Sequence, residues 1–132
     1  EHLARHACAD LFLDTLPFNA GTTASDALWT GVPVVTCTGK GFAARMAGSL
    51  LGAVGLPDLV TDNLADYEAL ALRLAATPAA LAEVKARRAG NRTTAPRGDT
   101  SRFTRNLETA YETMWQRAEA GLPPITFDVP MP

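Results

Sequence analysis

The stretch Asn19-Ala20-Gly21-Thr22-Thr23-Ala24-Ser25-Asp26 brings a glycine, adjacent hydroxyls and a carboxylate close together in the chain. It lies between a short apolar run and a segment of helical composition. A helix that begins at Thr22 or Thr23 offers free backbone N–H groups, the positive end of its dipole and the threonine hydroxyls. Together these make a site for a phosphate. Gly21 lets the backbone come close to such a group. Asp26, one turn into the helix, is placed to accept hydrogen bonds from a pair of ribose hydroxyls. The same residues also fit plain helix capping, with a threonine as cap and an acid in the first turn.

Other candidates are weaker. Lys40, in Gly39-Lys40-Gly41, stands at the same edge of a sheet and could meet an anion, but the Gly-x-x-x-x-Gly-Lys-Ser/Thr pattern of a P-loop is absent and a solvated loop lysine is the better reading. His2 and His6 are one helical turn apart, a spacing that suits a metal pair, yet no third ligand accompanies them, so no metal is expected. Cys8 and Cys37 lack Cys-x-x-Cys spacing and read as small buried hydrophobes. Lys85, Arg87, Arg88, Arg92, Arg97, Arg102 and Arg105 form a basic stretch, read as a solvated face or as a surface for an anionic partner. The stripe Phe103, Leu107, Tyr111, Met114 and Trp115 reads as helix packing against a core.

The elements that must position these residues alternate. His2 to Asp10 reads as a helix end, and Leu11 to Thr15 as a short buried strand stopped by Pro17. Thr22 or Thr23 then caps a helix through Ala24 to Trp29, closed by Gly31 and Pro33. Val34 to Cys37 is a second buried strand, Phe42 to Val54 a helix and Leu59 to Thr61 a third strand. Asn63 caps a helix from Leu64 to Ala76, and Thr77-Pro78 opens another that ends near Arg88. A polar loop to Ser101 precedes a final helix to Ala120. This order implies an α/β fold, a partial Rossmann-like parallel sheet with flanking helices and a C-terminal helix. The expected division is 1–121 as the C-terminal part of a nucleotide-binding domain, with 122–132 as an extended Pro-rich tail.

The 132 residues are 47% hydrophobic and 20% charged, the balance of a folded globular chain rather than a disordered one. A net charge of −2 argues against nucleic-acid binding through bulk positive charge. No apolar run approaches the ~20 residues of a membrane span, and the N-terminus has no signal-peptide design. With few cysteines, a reducing cytoplasmic compartment fits. The missing initiator Met and the small number of strands lead us to expect a piece of a longer polypeptide.

Leu11-Phe12-Leu13-Asp14-Thr15 followed by Asn19 to Thr36 resembles the C-terminal catalytic region of the O-linked N-acetylglucosamine transferases. Thr-Thr-x-x-Asp-x-Leu-Trp-x-Gly-x-Pro is its most specific part. Phe42 to Leu51, Tyr67-Glu68, Tyr111 to Trp115 and Ala120-Gly121 match too. The resemblance implies part of a two-lobed GT-B glycosyltransferase that moves N-acetylglucosamine from UDP-GlcNAc to protein Ser/Thr hydroxyls, with inversion and without a metal or other cofactor. It implies that Thr22 and Thr23 hold the diphosphate, that Asp26 holds the ribose, and that His2 and Arg5 stand near the uracil. Gly21 replaces the histidine of the animal enzymes and resembles the bacterial type. The acid/base groups and a phosphate-binding lysine belong to segments upstream of Glu1, so no catalytic residue is assigned to this chain. Protein acceptors would be recruited by tetratricopeptide repeats, also upstream. The alternatives are a GDP-fucose-using protein O-fucosyltransferase relative and a non-catalytic interaction domain with a vestigial nucleotide site.

Overall fold

The computed structural model describes residues 1–91 and 99–129. Internal contacts divide the chain into two compact units, Glu1–Gly98 and Asp99–Pro132.

In the first unit a 3-10 helix, Leu3–Cys8, precedes β1 (Phe12–Leu13), α1 (Thr22–Thr30) and β2 (Val34–Cys37). A 3-10 turn, Ala43–Arg45, leads into α2 (Met46–Ala53). A further 3-10 turn, Pro57–Leu59, precedes β3 (Val60–Thr61), α3 (Leu64–Ala76) and α4 (Pro78–Gly90). The strands form a parallel sheet in the order β1-β2-β3. Phe12 pairs with Val34 and Leu13 with Val35, while Thr36 pairs with Val60 and Cys37 with Thr61. This is the α/β class expected from the alternation of elements.

β2 is central and all of it is buried, as its run of β-branched residues requires. β1 is not the fully buried strand expected, because Leu13 is 54% exposed. Among the described residues β1 has a ladder partner on one side only, so it is an edge. The core joins Leu28 of α1, Leu51 of α2 and Leu74 of α3 to Val34 and Val35. Each such leucine contributes roughly 1.5–3 kcal/mol by leaving water.

Local chemistry explains most boundaries. Gly31 closes α1 at φ +94, a left-handed cap where a side chain would be strained. Arg88, 5% exposed, donates from Nε to the carbonyl of Leu28 at 2.9 Å and so satisfies a helix-end acceptor. The basic stretch is therefore not one solvated face: Lys85 pairs with Asp10, Arg87 pairs with Asp58, and Arg88 is interior. Arg92 and Arg97 lie outside the described residues. Asn63 caps α3 as expected, its side chain accepting from the Asp66 N–H at 2.9 Å. Thr77 occupies the cap position of α4, but its hydroxyl makes no cap bond.

The expected helix from Phe42 to Val54 is broken at Arg45, where φ is −124. The reason is competition for carbonyls. Asn19 N–H bonds the Ala43 carbonyl at 3.0 Å, and Gly39 N–H bonds the Ala44 carbonyl at 2.8 Å. Those acceptors are spent on loops and cannot start a regular helical ladder. The helix expected at His2 to Asp10 is the shorter 3-10 helix, and it buries nothing. Cys8 within it is exposed, unlike Cys37, so only Cys37 is the buried hydrophobe expected of both.

The second unit is α5 (Thr100–Glu119) and the segment after it. Asp99 caps α5 by accepting from Arg102 N–H at 2.8 Å. The stripe expected to pack in a core is exposed instead, with Phe103 at 64% and Trp115 at 65%, and α5 has no buried residue. Helical spacing identified which face of α5 is apolar. Met114 and Ala110 of α5, with Leu122, Ile125 and Phe127, line an apolar cleft of 490 Å³. No helix among the described residues is long and apolar enough to cross a membrane.

Candidate functional site

Because the sheet is parallel, the loops after β1 and β2 leave from its carboxyl edge, where open α/β sheets bind ligands. The loop after β1 ends at Gly21, which is the N-cap of α1 and has φ −96. Its backbone therefore does not need the left-handed region. A Cβ there would stand in ordinary contact, 3.7 Å from Met46 Cγ.

Thr22 is the first residue of α1 rather than its cap, and Gly21 offers no side chain to cap with. Capping is thus not what the hydroxyls of Thr22 and Thr23 do. Both residues are exposed, and neither hydroxyl has a hydrogen-bond partner among the described residues. The N–H groups of Thr22, Thr23 and Ala24 are also unpaired among the described residues, the first intrahelical bond being Ser25 N–H to the Gly21 carbonyl at 2.9 Å. The helix start presents amides, hydroxyls and a dipole end to solvent, an arrangement that takes an anion.

Asp26 sits one turn deeper, with its side chain 28% exposed. His2 Nε2 lies 3.2 Å from Asp26 Oδ2, which joins the 3-10 helix to α1. A proton on Nε2 makes His2 the donor, and Oδ1 of Asp26 remains without a partner among the described residues. Arg5 lines a surface hollow with Glu1 and His2. Its guanidinium makes no bond among the described residues. The structure thus brings His2 and Asp26 into contact, sets Arg5 beside His2, and places Thr22 and Thr23 one turn before Asp26 on the same helix. His2 and His6 stack edge to face at 5.6 Å between ring centroids. Among the described residues no three His, Cys, Asp or Glu side chains gather as a metal site would require. Lys40 is exposed in the neighbouring loop.

Two residues that shape this site, Asn19 at the head of the loop stretch and Asp14 before it, are given no role by the sequence pattern. Asp14 and Asn19 are 5% and 0% exposed, and both hold the loop before Gly21. The available signal was an acid inside an apolar strand, a position that demands donors.

Comparison with known proteins gives the family. Residues 1–107 match the model of "Glycosyl transferase family 41". The chain is 38% identical over 130 residues to a probable UDP-N-acetylglucosamine–peptide N-acetylglucosaminyltransferase SEC of Arabidopsis thaliana, covering 98% of this chain and 13% of that protein. It is 37% identical over 123 residues to the UDP-N-acetylglucosamine–peptide N-acetylglucosaminyltransferase of Caenorhabditis elegans, covering 93% of this chain and 11% of that one. The solved structure of an O-GlcNAc transferase mutant from Thermobaculum terrenum superposes with a TM-score of 0.83 at 38% identity, over 89% of this chain and 22% of that chain. The chain spans a small part of each of these proteins, but the match runs through the β1–α1 loop and the helix it opens. The chain belongs to glycosyl transferase family 41.

Proposed function

We propose that this chain is the C-terminal segment of a glycosyltransferase resembling protein O-GlcNAc transferase, and that it holds the UDP part of a UDP-sugar donor. One observation carries the reading. Among the described residues, the start of α1 offers unpaired amides and two unpartnered hydroxyls, one turn before an acid oriented by His2. Thr22 and Thr23, with the amides, hold the diphosphate. Asp26 accepts from the ribose through Oδ1, while His2 fixes its other oxygen, and Arg5 and His2 border the base. Gly21 adds no donor of its own beyond the backbone.

In transfer to a protein Ser or Thr hydroxyl with inversion, negative charge builds on the departing diphosphate. Preorganised amides and hydroxyls at a helix start stabilise that charge without reorganising, so the chain's contribution to rate is electrostatic and needs no metal. The groups that move the acceptor's proton are supplied by other parts of the protein.

Titration calorimetry with UDP on the full-length protein tests this. Thr22→Ala and Asp26→Ala are each expected to weaken binding by at least about tenfold, the scale of one lost hydrogen bond to a charged group. No binding of UDP at millimolar concentration overturns the reading.

A further inference from the structure

Asp14 follows β1 directly, is 5% exposed, and plays no part in the ligand contacts proposed above. Its carboxylate is met by donors from separate parts of the chain. Oδ1 accepts the N–H of Thr15 at 2.8 Å and that of Ala20 at 2.7 Å. Oδ2 accepts the hydroxyl of Thr36, on β2, at 2.6 Å. Its backbone carbonyl accepts the hydroxyl of Tyr67, on α3, at 2.9 Å. A buried carboxylate is costly unless it is satisfied, and here each oxygen has its donors.

The bond to Ala20 matters most for the site. It bridges the whole loop and ends one residue before Gly21, the N-cap of α1. Asn19 braces the same loop from within, its Nδ2 donating to the Thr15 carbonyl at 3.1 Å. The Ala20 amide is consumed by this clamp, so the amides left for a ligand begin after it. We infer that Asp14 is the positioning residue of the nucleotide site. By holding the Thr15 and Ala20 amides it fixes where α1 begins, and it acts on the ligand only through Thr22 and Thr23.

This inference rests on the reading of Thr22 and Thr23 as diphosphate ligands. It is a statement about geometry and not about charge. Asparagine can make the same bonds, with its oxygen accepting both amides and its NH₂ donating to the Thr36 hydroxyl. A negative charge beneath an anion site does nothing to help the anion, so the conservative variant separates the two roles.

The experiment uses the full-length protein and UDP as probe, with calorimetry for affinity and thermal melting for stability. Asp14→Ala is expected to weaken UDP binding by at least about tenfold at a temperature where it remains folded, while Asp14→Asn stays within about threefold of wild type. Thr36→Val removes one donor to the same carboxylate without releasing the loop. It is expected to lower Tm and to leave affinity within about twofold. An alanine variant that is folded and binds UDP like wild type overturns the inference. So does an asparagine variant as weak as the alanine one. Should Asp14→Ala not fold, amide exchange in the wild-type protein decides. The Ala20 amide is expected to be protected without UDP and unchanged by it, while the amides of Thr22 and Thr23 gain protection. An Ala20 amide open to exchange without UDP overturns the inference. Normal UDP binding by Thr22→Ala overturns the diphosphate reading and the inference with it. Loss in Thr22→Ala beside a folded, normally binding Asp14→Ala overturns the inference alone.

Discussion

Two loops leave the carboxyl edge of the sheet, and they are held in opposite ways. The loop after β1 is braced by buried polar side chains: Asp14 clamps its ends and Asn19 fills its interior. The loop after β2, Gly39-Lys40-Gly41, contains no buried polar side chain. It closes mainly through backbone bonds, Gly39 N–H to the Ala44 carbonyl at 2.8 Å and Ala44 N–H to the Gly41 carbonyl at 3.2 Å, with the half-buried Thr38 hydroxyl donating to the same Ala44 carbonyl at 3.5 Å. The first device costs desolvation and yields a fixed position. The second needs only small residues and leaves Lys40 and Phe42 exposed. A chain spends buried polar groups where a position must be held closely, and here that is the loop that leads to Thr22 and Thr23.

Breaking the braced loop should have the largest effect. Asn19 is fully buried, and its Nδ2 donates to the carbonyls of Thr15 and Cys37 at 3.1 and 3.5 Å. Asn19→Ala leaves both carbonyls short of a donor and opens a small void. The expected loss is about 2–3 kcal/mol in urea denaturation, with UDP affinity falling alongside. A loss under about 0.5 kcal/mol would place this residue among ordinary surface positions and remove the contrast between the loops.

Disturbing the loop after β2 should be milder and should spare binding. A Cβ on Gly39 would come within 2.7 Å of Ala44 Cβ, a stiff neighbour that must shift. Gly39→Ala is expected to cost about 1–2 kcal/mol by overpacking, with UDP affinity within about threefold of wild type. Affinity that falls in step with stability would show that the two loops move as one.

The same contrast explains what the sequence made legible. The placement of Thr22, Thr23 and Asp26 at one helix start was readable because they are close in the chain and one helix aligns them. The Asn63 cap and the Gly31 stop were readable for the same local reason. The His2–Asp26 contact was not, since it joins residues that no local pattern relates, and only the family resemblance set His2 near the site. Asp14 was read as part of an apolar strand because its donors come from Ala20, Thr36 and, at its carbonyl, Tyr67. The break at Arg45 was hidden because the carbonyls of Ala43 and Ala44 are taken by amides of other loops. On α5, the spacing of Phe103 to Trp115 told which face is apolar. Period alone does not tell whether anything covers that face.

The smallest effect sharpens the comparison through pH. Tyr67 braces only the β1 loop, through its hydroxyl to the Asp14 carbonyl at 2.9 Å. Burial, with the nearby charge of Asp14 second, raises the pKa of its phenol above the ordinary value. A raised pKa means that the fold favours the neutral phenol. The stabilisation is therefore complete below the unfolded-state pKa of about 10 and is lost as pH climbs through and above it. Tyr67→Phe removes the hydrogen bond together with this dependence. At neutral pH the variant should be less stable by about 1 kcal/mol, the net value of one such bond. The gap should narrow as pH rises above about 10, where the wild-type phenol ionises and can no longer donate. Denaturation of both proteins across that range reads the gap directly. A gap that stays constant through the alkaline limb would mean that the hydroxyl does not brace the loop, and Asp14 would then be held from β2 and the loop alone.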